Sequence, residues 1–334
     1  MTNNMSIKIA GWVYAPILIP TCNRIKHFSK CIESLNKNHN ASETEVYISV
    51  DYPPNSAFEA GNAEIIDFLE KFRRESNFKK INVYVQKSNL GPDDNFSFLV
   101  EKIRDNYDYY IFTEDDNTFS DSFIDFCNYG LQKYEKNNEI CFVCGYEDQI
   151  VSQKKWKEKM MVHRYYEPYG TACWIDKEKH FSQWLSMENI IKSAMDFRQM
   201  MNLRKYNRAV FNLLVMNVLV NPRYPYIDKN GNPKGIDIIK SFYLFVNHRF
   251  ALFPSLNLVQ NHGNDGSGVN TTRDTVPTRE IQGEKIEFDF NELPHEEIGK
   301  REDRCSKRKW DFIKRQRASV EYVKWYLLMH FKNS

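Results

Sequence analysis

The sequence of 334 residues lacks both a long apolar run and a charge imbalance of either sign. Its longest apolar segment, Ala209 to Val220, contains two asparagines and is too short to span a bilayer. The first residues carry no basic flank followed by an apolar stretch, so we expect a protein without a secretory signal, soluble or peripheral to a membrane. The formal net charge of +2 gives no reason to expect a nucleic acid as partner.

Cysteine pairs of the kind that build zinc sites or disulfide frameworks are also lacking. The seven cysteines are an odd number and widely scattered. Cys141 and Cys144 lie in an apolar stretch with no second pair to complete a zinc site. We therefore interpret the cysteines as reduced, mostly buried thiols of a cytoplasmic protein.

Apolar residues are plentiful enough for a buried core, at 42% hydrophobic and 14% aromatic content. The length fits one large α/β domain or two small ones, and neither an internal repeat nor a low-complexity linker divides the chain. Charge is uneven along it. From Lys300 onward there are 11 Lys/Arg against 4 Asp/Glu, which leaves 35 against 40 for residues 1–299. The C-terminal tail is basic and the rest mildly acidic.

The first half alternates short apolar runs with amphipathic stretches, which predicts βαβ units and an α/β fold with a mostly parallel sheet flanked by helices. The runs that we interpret as strands are Pro16–Pro20, Val46–Val50, Ile81–Val85 and Tyr109–Thr113. In open α/β sheets a ligand binds outside the carboxyl ends of the strands. Polar motifs follow the runs at these ends, so the sequence predicts a site there.

The second half has a looser pattern of short strands and helices. We predict strands at Ile140–Cys144, Tyr169–Ile175 and Phe250–Val259, and helices near residues 177–188, 206–220 and 238–246. A half of this kind is expected to fold onto the first.

The acidic triplet Glu114-Asp115-Asp116 stands directly after the fourth predicted strand. Carboxylates here suit Mg²⁺ or Mn²⁺, which take one or two carboxylates together with phosphate oxygens and water. A bound metal would neutralise a departing diphosphate. The alternative is an acidic turn before the helix that begins near Asp121, the more frequent role of a short acidic run on its own.

An ordered series of motifs raises the weight of the metal interpretation. It comprises Ile19-Pro20-Thr21-Cys22-Asn23-Arg24, Val50-Asp51, Asn89-Leu90-Gly91-Pro92-Asp93-Asp94-Asn95 and Thr113-Glu114-Asp115-Asp116. Over roughly residues 14–120 this series resembles family 2 nucleotide-sugar glycosyltransferases of the GT-A fold. The resemblance implies a UDP-sugar donor, Mn²⁺ or Mg²⁺ held by Asp116, and a nucleotide-sugar site built from Pro20, Thr21, Asn23, Arg24, Asp51, Asn89, Gly91, Asn95, Glu114 and Asp115.

The glycine-rich segment Leu258–Gly268 resembles a late motif of bacterial polysaccharide glycosyltransferases. In that motif, Asn-Ile-Gly-His-Asp-Gly-Ser-Gly, the histidine falls where this chain has Asn264, whereas His262 takes the isoleucine position. The resemblance implies His262 as a metal ligand. The alternatives are that His262 and Asp265 stiffen the loop, or that the loop closes over the diphosphate with its backbone N–H groups.

An inverting transfer needs a carboxylate outside the metal site to remove the proton of the acceptor hydroxyl, whereas a retaining one does not. Asp237, just before a predicted helix, is the first candidate, with an ordinary helix N-cap as its alternative. The reserve candidates are Asp176, Glu147 and Asp148. Aromatic rings stack on sugars as readily as they fill cores. For the acceptor we predict Tyr169, Gly170 and Trp174.

Basic and apolar residues alternate between Cys305 and Phe331. This tail either lies on an anionic membrane surface, near a lipid-linked acceptor, or forms a helix that packs on the catalytic domain.

We therefore expect a GT-A domain with a nucleotide-sugar half at 1–120, an acceptor half at 121–299 and a helical tail at 300–334. The expected activity is sugar transfer to a glycan or lipid-linked glycan in surface polysaccharide synthesis, in the cytoplasm or at the inner face of its membrane. One rival is a nucleotidyltransferase, but the first loop, Pro20–Arg24, contains no glycine to hold a triphosphate. The other is a non-catalytic sugar-binding protein, which would not need the acidic triplet.

Overall fold

The computed structural model describes residues 12–147, 160–220, 235–254, 256–267, 280–281, 295–296 and 309–332. The chain forms two compact units. The first comprises Met1–Met161, Glu167–Asp176 and Leu252–His295, and the second comprises Val162–Tyr166, Lys177–Ala251 and Glu296–Ser334. The functional halves expected at 1–120 and 121–299 stay a prediction. Asp148 and Gly268 lie outside the described residues.

The elements alternate between strand and helix in the first part of the chain. The strands are β1 (Ile17–Thr21), β2 (Glu45–Val50), β3 (Lys80–Val85), β4 (Tyr109–Phe112), β5 (Asn117–Phe119), β6 (Ile140–Cys144), β7 (Met161–His163), β8 (Thr171–Trp174), β9 (Phe250–Phe253), β10 (Val259–Asn261) and β11 (His295–Glu296). The helices are α1 (Ile25–Asn36), α2 (Glu59–Glu75), α3 (Pro92–Ile103), α4 (Phe123–Lys133), α5 (Ile175–Trp184), α6 (Met187–Ala194), α7 (Phe197–Tyr206), α8 (Arg208–Leu213), α9 (Ile236–Val246) and α10 (Lys309–Lys332). A π-helical turn, Leu214–Leu219, continues α8.

The main sheet of the first unit has the strand order β6-β8-β4-β1-β2-β3. Strands β4, β1, β2 and β3 run parallel, whereas β8 is antiparallel to both β4 and β6. The predicted α/β fold is confirmed, and the four strands of the first half begin and end within a single residue of the predicted positions. The antiparallel β8 makes the sheet mixed.

Continuous apolar runs place the central strands in the core. Ile17, Leu18 and Ile19 of β1 have no exposed surface, as expected for a strand with both faces covered. Helix α1 buries one face, with Phe28 and Leu35 at helical spacing. The six described cysteines are free thiols, and all except Cys22 are buried.

A second, two-stranded sheet was not predicted. Strand β5 pairs antiparallel with β10, so that Asn117 lies opposite Asn261. The segment Phe250–Val259, predicted as one strand, contains β9 and only the first residue of β10. Pro254 ends β9 because proline cannot donate to a strand ladder. Strands of three residues are also too short to show a period of two.

Helix α10 packs in the second unit through one of its faces. The buried ring of Tyr322 contacts Phe197 and Phe211, and its hydroxyl donates to the carbonyl of Ala194 at 2.8 Å. The expectation of a packed C-terminal helix therefore holds for this face. Across the part of the chain that the structure describes, no helix has the length and apolar character to cross a bilayer.

The packing of α10 predicts a large effect for Tyr322→Ala. Removing a buried aromatic ring costs about 3 to 5 kcal/mol of unfolding free energy, and here a buried hydrogen bond is lost as well. Val320→Ala, on the exposed face of α10, is the matched control and should change stability by no more than about 0.5 kcal/mol. Urea denaturation measures both variants. Equal effects would show that α10 does not pack through Tyr322.

Candidate functional site

The carboxyl end of β2 is tied to the loop after β3 by Asp51. This buried carboxylate accepts hydrogen bonds from the backbone of Leu90 at 2.8 Å and of Gly91 at 2.9 Å, and from the side chain of Asn89 at 3.1 Å. Gly91 has a φ of +82°, a left-handed conformation that glycine adopts without strain. The structure thus brings together Asp51, Asn89 and Gly91, which the sequence placed in one site.

Buried amides hold the ends of β1 and β2. Asn95 donates to the carbonyl of Ser49 at 3.2 Å, and Asn62 donates to the carbonyls of Cys22 at 2.7 Å and Asp51 at 2.8 Å. Pro20 is part of β1 itself, where it pairs with Ser49.

The half-buried Asn23 lies in the loop that follows β1, with its backbone against Gly61 of α2. A Cβ on Gly61 would collide with the Asn23 carbonyl, so the close approach of helix and loop requires glycine. These contacts fix the loop backbone before any ligand arrives.

Two carboxylates of the acidic triplet are buried beside this loop, with Asp115 only 4% and Asp116 only 6% exposed. Thr21 donates to Asp115 Oδ2 at 2.7 Å. Arg24 bridges the pair, since its Nη1 donates to Asp116 Oδ2 at 2.8 Å and its Nη2 pairs with Asp115 Oδ1. Glu114, by contrast, is exposed.

The charges of this cluster act on one another. Burial raises the pKa of Asp115, although Arg24 and the hydrogen bond from Thr21 oppose that rise. Burial disfavours the charged form of Arg24, but Asp115 and Asp116 outweigh it and raise the pKa of the guanidinium above its ordinary value. Arg24 is therefore the resident cation of a cluster with one positive and two negative groups.

The end of β10 and the loop that follows it contact Asp116 from the side opposite Arg24. Asn261 donates to Asp116 Oδ1 at 2.7 Å, and the backbone N–H of His262 donates to the Asp116 carbonyl at 2.8 Å. A Cβ on Gly263 would collide with Asp116 Oδ2, so the close approach of this loop to the carboxylate requires glycine. The pairing of β5 with β10 thus delivers the late glycine-rich segment to the acidic triplet.

The ring of His262 interacts with Thr118, whose Oγ1 lies 2.8 Å from Nε2. Burial lowers the pKa of His262, and Lys30 and His27 act in the same direction. Farther along the loop, Asp265 lies 2.9 Å from the Nε2 atom of His27 on α1. These contacts support the alternative in which His262 and Asp265 stiffen the loop. Metal ligation by His262 stays a prediction.

The donor set around Asp116 fits a divalent cation that shares its coordination with phosphate. No group of three or more His, Cys, Asp or Glu side chains within the described ranges is arranged to hold a metal. Mg²⁺ in phosphate sites needs only one or two carboxylates. Each carboxylate oxygen of Asp116 accepts one hydrogen bond, from Arg24 at Oδ2 and from Asn261 at Oδ1, and keeps a lone pair for a cation.

The predicted acceptor residues have different surroundings. Tyr169 is half-buried and meets Tyr146 edge to face, with ring centroids 5.2 Å apart. Gly170 has a φ of +66°, and a Cβ there would press on Phe119. Trp174, only 3% exposed, lies in the central strand β8 opposite Tyr109. It therefore packs in the core and offers no open face to a sugar, contrary to the expectation for this residue.

The carboxylates considered as the base also differ in their settings. Asp237 is exposed in the first turn of α9, and Gly235 rather than Asp237 is the N-cap of that helix. Asp176 is exposed on α5, whereas Glu147 is buried next to Asn257. The N-cap alternative for Asp237 is thus wrong, and its role as a base stays a prediction.

Sequence reasoning missed Asn261, Asn62 and Thr118 as parts of the site. Asn261 lies inside the late motif, but nothing in that motif indicates its partner. The pairing of Asn117 with Asn261 supplies that partner, since these side chains bond at 2.9 Å. No signal along the chain predicts such a pairing across 144 residues.

Comparison with known proteins assigns the family. Residues 17–203 match the family model "Glycosyl transferase family 2". No curated protein sequence matches at a significant level.

Among solved structures, TarS residues 1–349 of S. aureus in complex with UDP shares 17% identity, covering 47% of this chain and 45% of that one, with a TM-score of 0.33. The mannosyltransferase PcManGT of Pyrobaculum calidifontis, in complex with GDP-Man and Mn²⁺, shares 8% identity, covering 50% and 46%, with a TM-score of 0.34. The match thus covers less than half of each of these proteins, and the family assignment does not depend on them. Because the family model spans more than half of its 334 residues, the chain belongs to glycosyl transferase family 2.

Proposed function

We propose that this protein transfers a sugar from a nucleoside diphosphate, with UDP-sugar as the candidate donor, to a hydroxyl of a glycan or lipid-linked glycan. The observation that carries the proposal is the buried pair Asp115 and Asp116 at the carboxyl end of β4, next to the Asp51 loop. Buried carboxylates need compensating charge, and here a single guanidinium contacts two of them, which leaves negative charge that a divalent cation could use. A surface polysaccharide pathway is the setting that we propose from the late motif.

In this proposal the nucleotide lies over the loops that follow β1, β2 and β3. The contacts of Asp51 fix the Asn89–Gly91 loop, while Pro20, Thr21 and Asn23 line the opposite side. A Mn²⁺ or Mg²⁺ ion would be held by Asp116. Asp115 and Glu114 precede Asp116 in the chain, and His262 is next to it through its backbone hydrogen bond to the Asp116 carbonyl. When bound, such an ion neutralises the charge that develops on the departing diphosphate.

The chemical step that we propose is a single displacement with inversion. The acceptor oxygen forms a bond to the anomeric carbon while the bond from that carbon to the diphosphate oxygen breaks, and the diphosphate leaves with the electron pair. Asp237, whose side chain is exposed in the first turn of α9, takes the proton of the acceptor hydroxyl on its carboxylate. Tyr169, half-buried beside Gly170, offers a ring for the acceptor sugar.

A metal-dependent nucleotide site predicts a thermal response. With Mn²⁺ present, UDP at about 100 times its Kd should raise the unfolding free energy by about 2.7 kcal/mol. In Asp116→Asn the Mn²⁺-dependent part of this rise should disappear, because asparagine keeps the acceptor atom for Asn261 but loses the charge. Thermal denaturation with and without Mn²⁺ measures the effect.

The control for this experiment is Asp105→Asn, which removes an exposed carboxylate before β4, at the opposite end of the strand. This variant should respond like the wild type. Wild-type protein that shows no Mn²⁺-dependent stabilisation by UDP would contradict the proposed donor. A full response in Asp116→Asn would instead move the metal site elsewhere.

The assignment of the base predicts a separation of binding from turnover. Asp237→Asn should reduce sugar transfer by about 100-fold or more, because proton removal contributes roughly 10² to 10⁴ to such rates, while UDP affinity stays unchanged. Asp176→Asn, another exposed carboxylate, should keep its activity. Transfer assays with a panel of UDP-sugars provide the measurement. If Asp176→Asn rather than Asp237→Asn loses activity, the base is Asp176.

Helix α10 supports a proposed contact with an anionic lipid surface. Opposite the buried Tyr322, it presents an apolar face whose members are 40% to 75% exposed: Val320, Val323, Leu327, Leu328 and Phe331. Arg317 and Lys324 are exposed on the same side. The sequence of the helix has six Lys/Arg against two Asp/Glu, so its charge complements anionic lipid. Such a contact would bring the protein to a lipid-linked acceptor.

Sedimentation with vesicles tests this surface. The wild type should bind vesicles that contain phosphatidylserine and should not bind vesicles of neutral lipid. The double substitution Leu327→Asp with Leu328→Asp should weaken binding by about tenfold or more, because burying charged side chains in the apolar layer is unfavourable. Val13→Asp, at an exposed apolar residue outside α10, is the control. Equal binding by all three proteins would contradict the proposal, as would self-association of the wild type through this face without lipid binding.

A further inference from the structure

Arg24 lies beside the buried carboxylates Asp115 and Asp116, where a positive charge is needed to compensate them. It follows β1 at the start of α1, and its side chain, 21% exposed, contacts both Asp115 and Asp116. Its Nη1 donates to Asp116 Oδ2 at 2.8 Å, the same oxygen that the backbone of Gly263 approaches closely. An arginine that bridges two buried carboxylates compensates their charge without any metal.

This arrangement conflicts with simultaneous metal binding at the same oxygens. A divalent cation at Asp116 would lie within a few ångströms of the guanidinium, and like charges at such distances repel by several kcal/mol even in a partly screened site. The cluster of two carboxylates would then carry three positive charges. Either the metal or the guanidinium must therefore leave Asp116.

A bound donor offers the guanidinium of Arg24 a second anion, the diphosphate. Arg24 stands before the first turn of α1, which contains no acidic residue and whose N-terminal end favours anions. Arginine binds phosphate through paired hydrogen bonds, as it binds carboxylate. The backbone of the preceding loop is held by Asn62 and Gly61, so a move of the guanidinium to another anion needs only rotation about the bonds of the Arg24 side chain.

We infer that Arg24 is an exchangeable counter-ion: it neutralises Asp115 and Asp116 in the empty site and passes to the donor's diphosphate when a divalent cation takes its place at Asp116. The identity of the phosphate ligand rests on the proposed function, whereas the competition between Arg24 and metal does not. Metal and nucleotide then bind cooperatively. The metal releases Arg24 for the diphosphate, and the diphosphate holds the guanidinium away from the metal at Asp116.

The inference is tested by Mn²⁺ titrations of the full chain, with free Mn²⁺ measured by electron paramagnetic resonance. Without UDP, Arg24→Gln should bind Mn²⁺ about tenfold more tightly than the wild type, because the competing charge is gone. In the wild type, UDP should tighten Mn²⁺ binding by about fivefold or more, and in Arg24→Gln this gain should shrink.

Two further variants complete the design. Lys26→Gln removes an exposed positive charge two residues away on α1, and it should match the wild type. Arg24→Lys keeps a competing charge without the bidentate geometry, so its Mn²⁺ affinity should lie between those of the wild type and Arg24→Gln. If Arg24→Gln does not fold, as judged by circular dichroism, Arg24→Lys still decides by binding Mn²⁺ more tightly than the wild type.

The outcomes separate this inference from the proposed function. Mn²⁺ binding by Arg24→Gln and Arg24→Lys that is no tighter than that of the wild type would overturn the counter-ion role, even if UDP binds normally. Absence of UDP binding together with tighter Mn²⁺ binding in Arg24→Gln would overturn the proposed donor and leave the counter-ion role intact. No Mn²⁺ binding by any variant would contradict both the metal site and the exchange.

Discussion

Two buried carboxylates next to each other are the constraint around which this protein is organised. Asp115 and Asp116 are almost completely removed from water, and like charges in such a place are unstable unless donors and cations surround them. The compensation comes from Thr21 at the end of β1, from Arg24 before α1 and from Asn261 at the end of β10. Three segments that are distant in sequence are therefore held at one point by charge and hydrogen bonding.

The neighbouring Asp51 is also a buried carboxylate, but its charge is compensated in a different way. Its carboxylate is saturated by backbone and side-chain N–H groups, so no cation is needed there. Asp51 shapes a loop, whereas the Asp115 and Asp116 pair keeps a net negative charge after its contacts with Arg24. This difference in compensation, rather than the number of carboxylates, distinguishes a residue that builds the site from residues suited to bind a cation.

Much of the first half could be predicted because its signals are local. Each of the strands β1 to β4 is an apolar run, and parallel strands bring their carboxyl ends to one edge, so Asp51, Gly91 and Asp116 were expected together. Less of the second half could be predicted. Tryptophan is a residue type that stacks on sugars, but the place of Trp174 in β8, between β4 and β6, puts it in the core. The short strands β5 and β10 carry no periodic signal, although Pro254 marks the end of β9 before β10.

The sequence by itself determined the α/β order of the elements, the edge at which the polar motifs collect and the acidic character of that edge, since each of these follows from residues close together in the chain. Only the tertiary structure decided which groups compensate Asp115 and Asp116. Contacts between Arg24 and Asp116 or between Asn261 and Asp116 span 92 and 145 residues, and their formation depends on the pairing of strands that no local pattern specifies. For the same reason, the sequence predicted a metal at Asp116, while the fold placed the guanidinium of Arg24 at the oxygen that the metal would need.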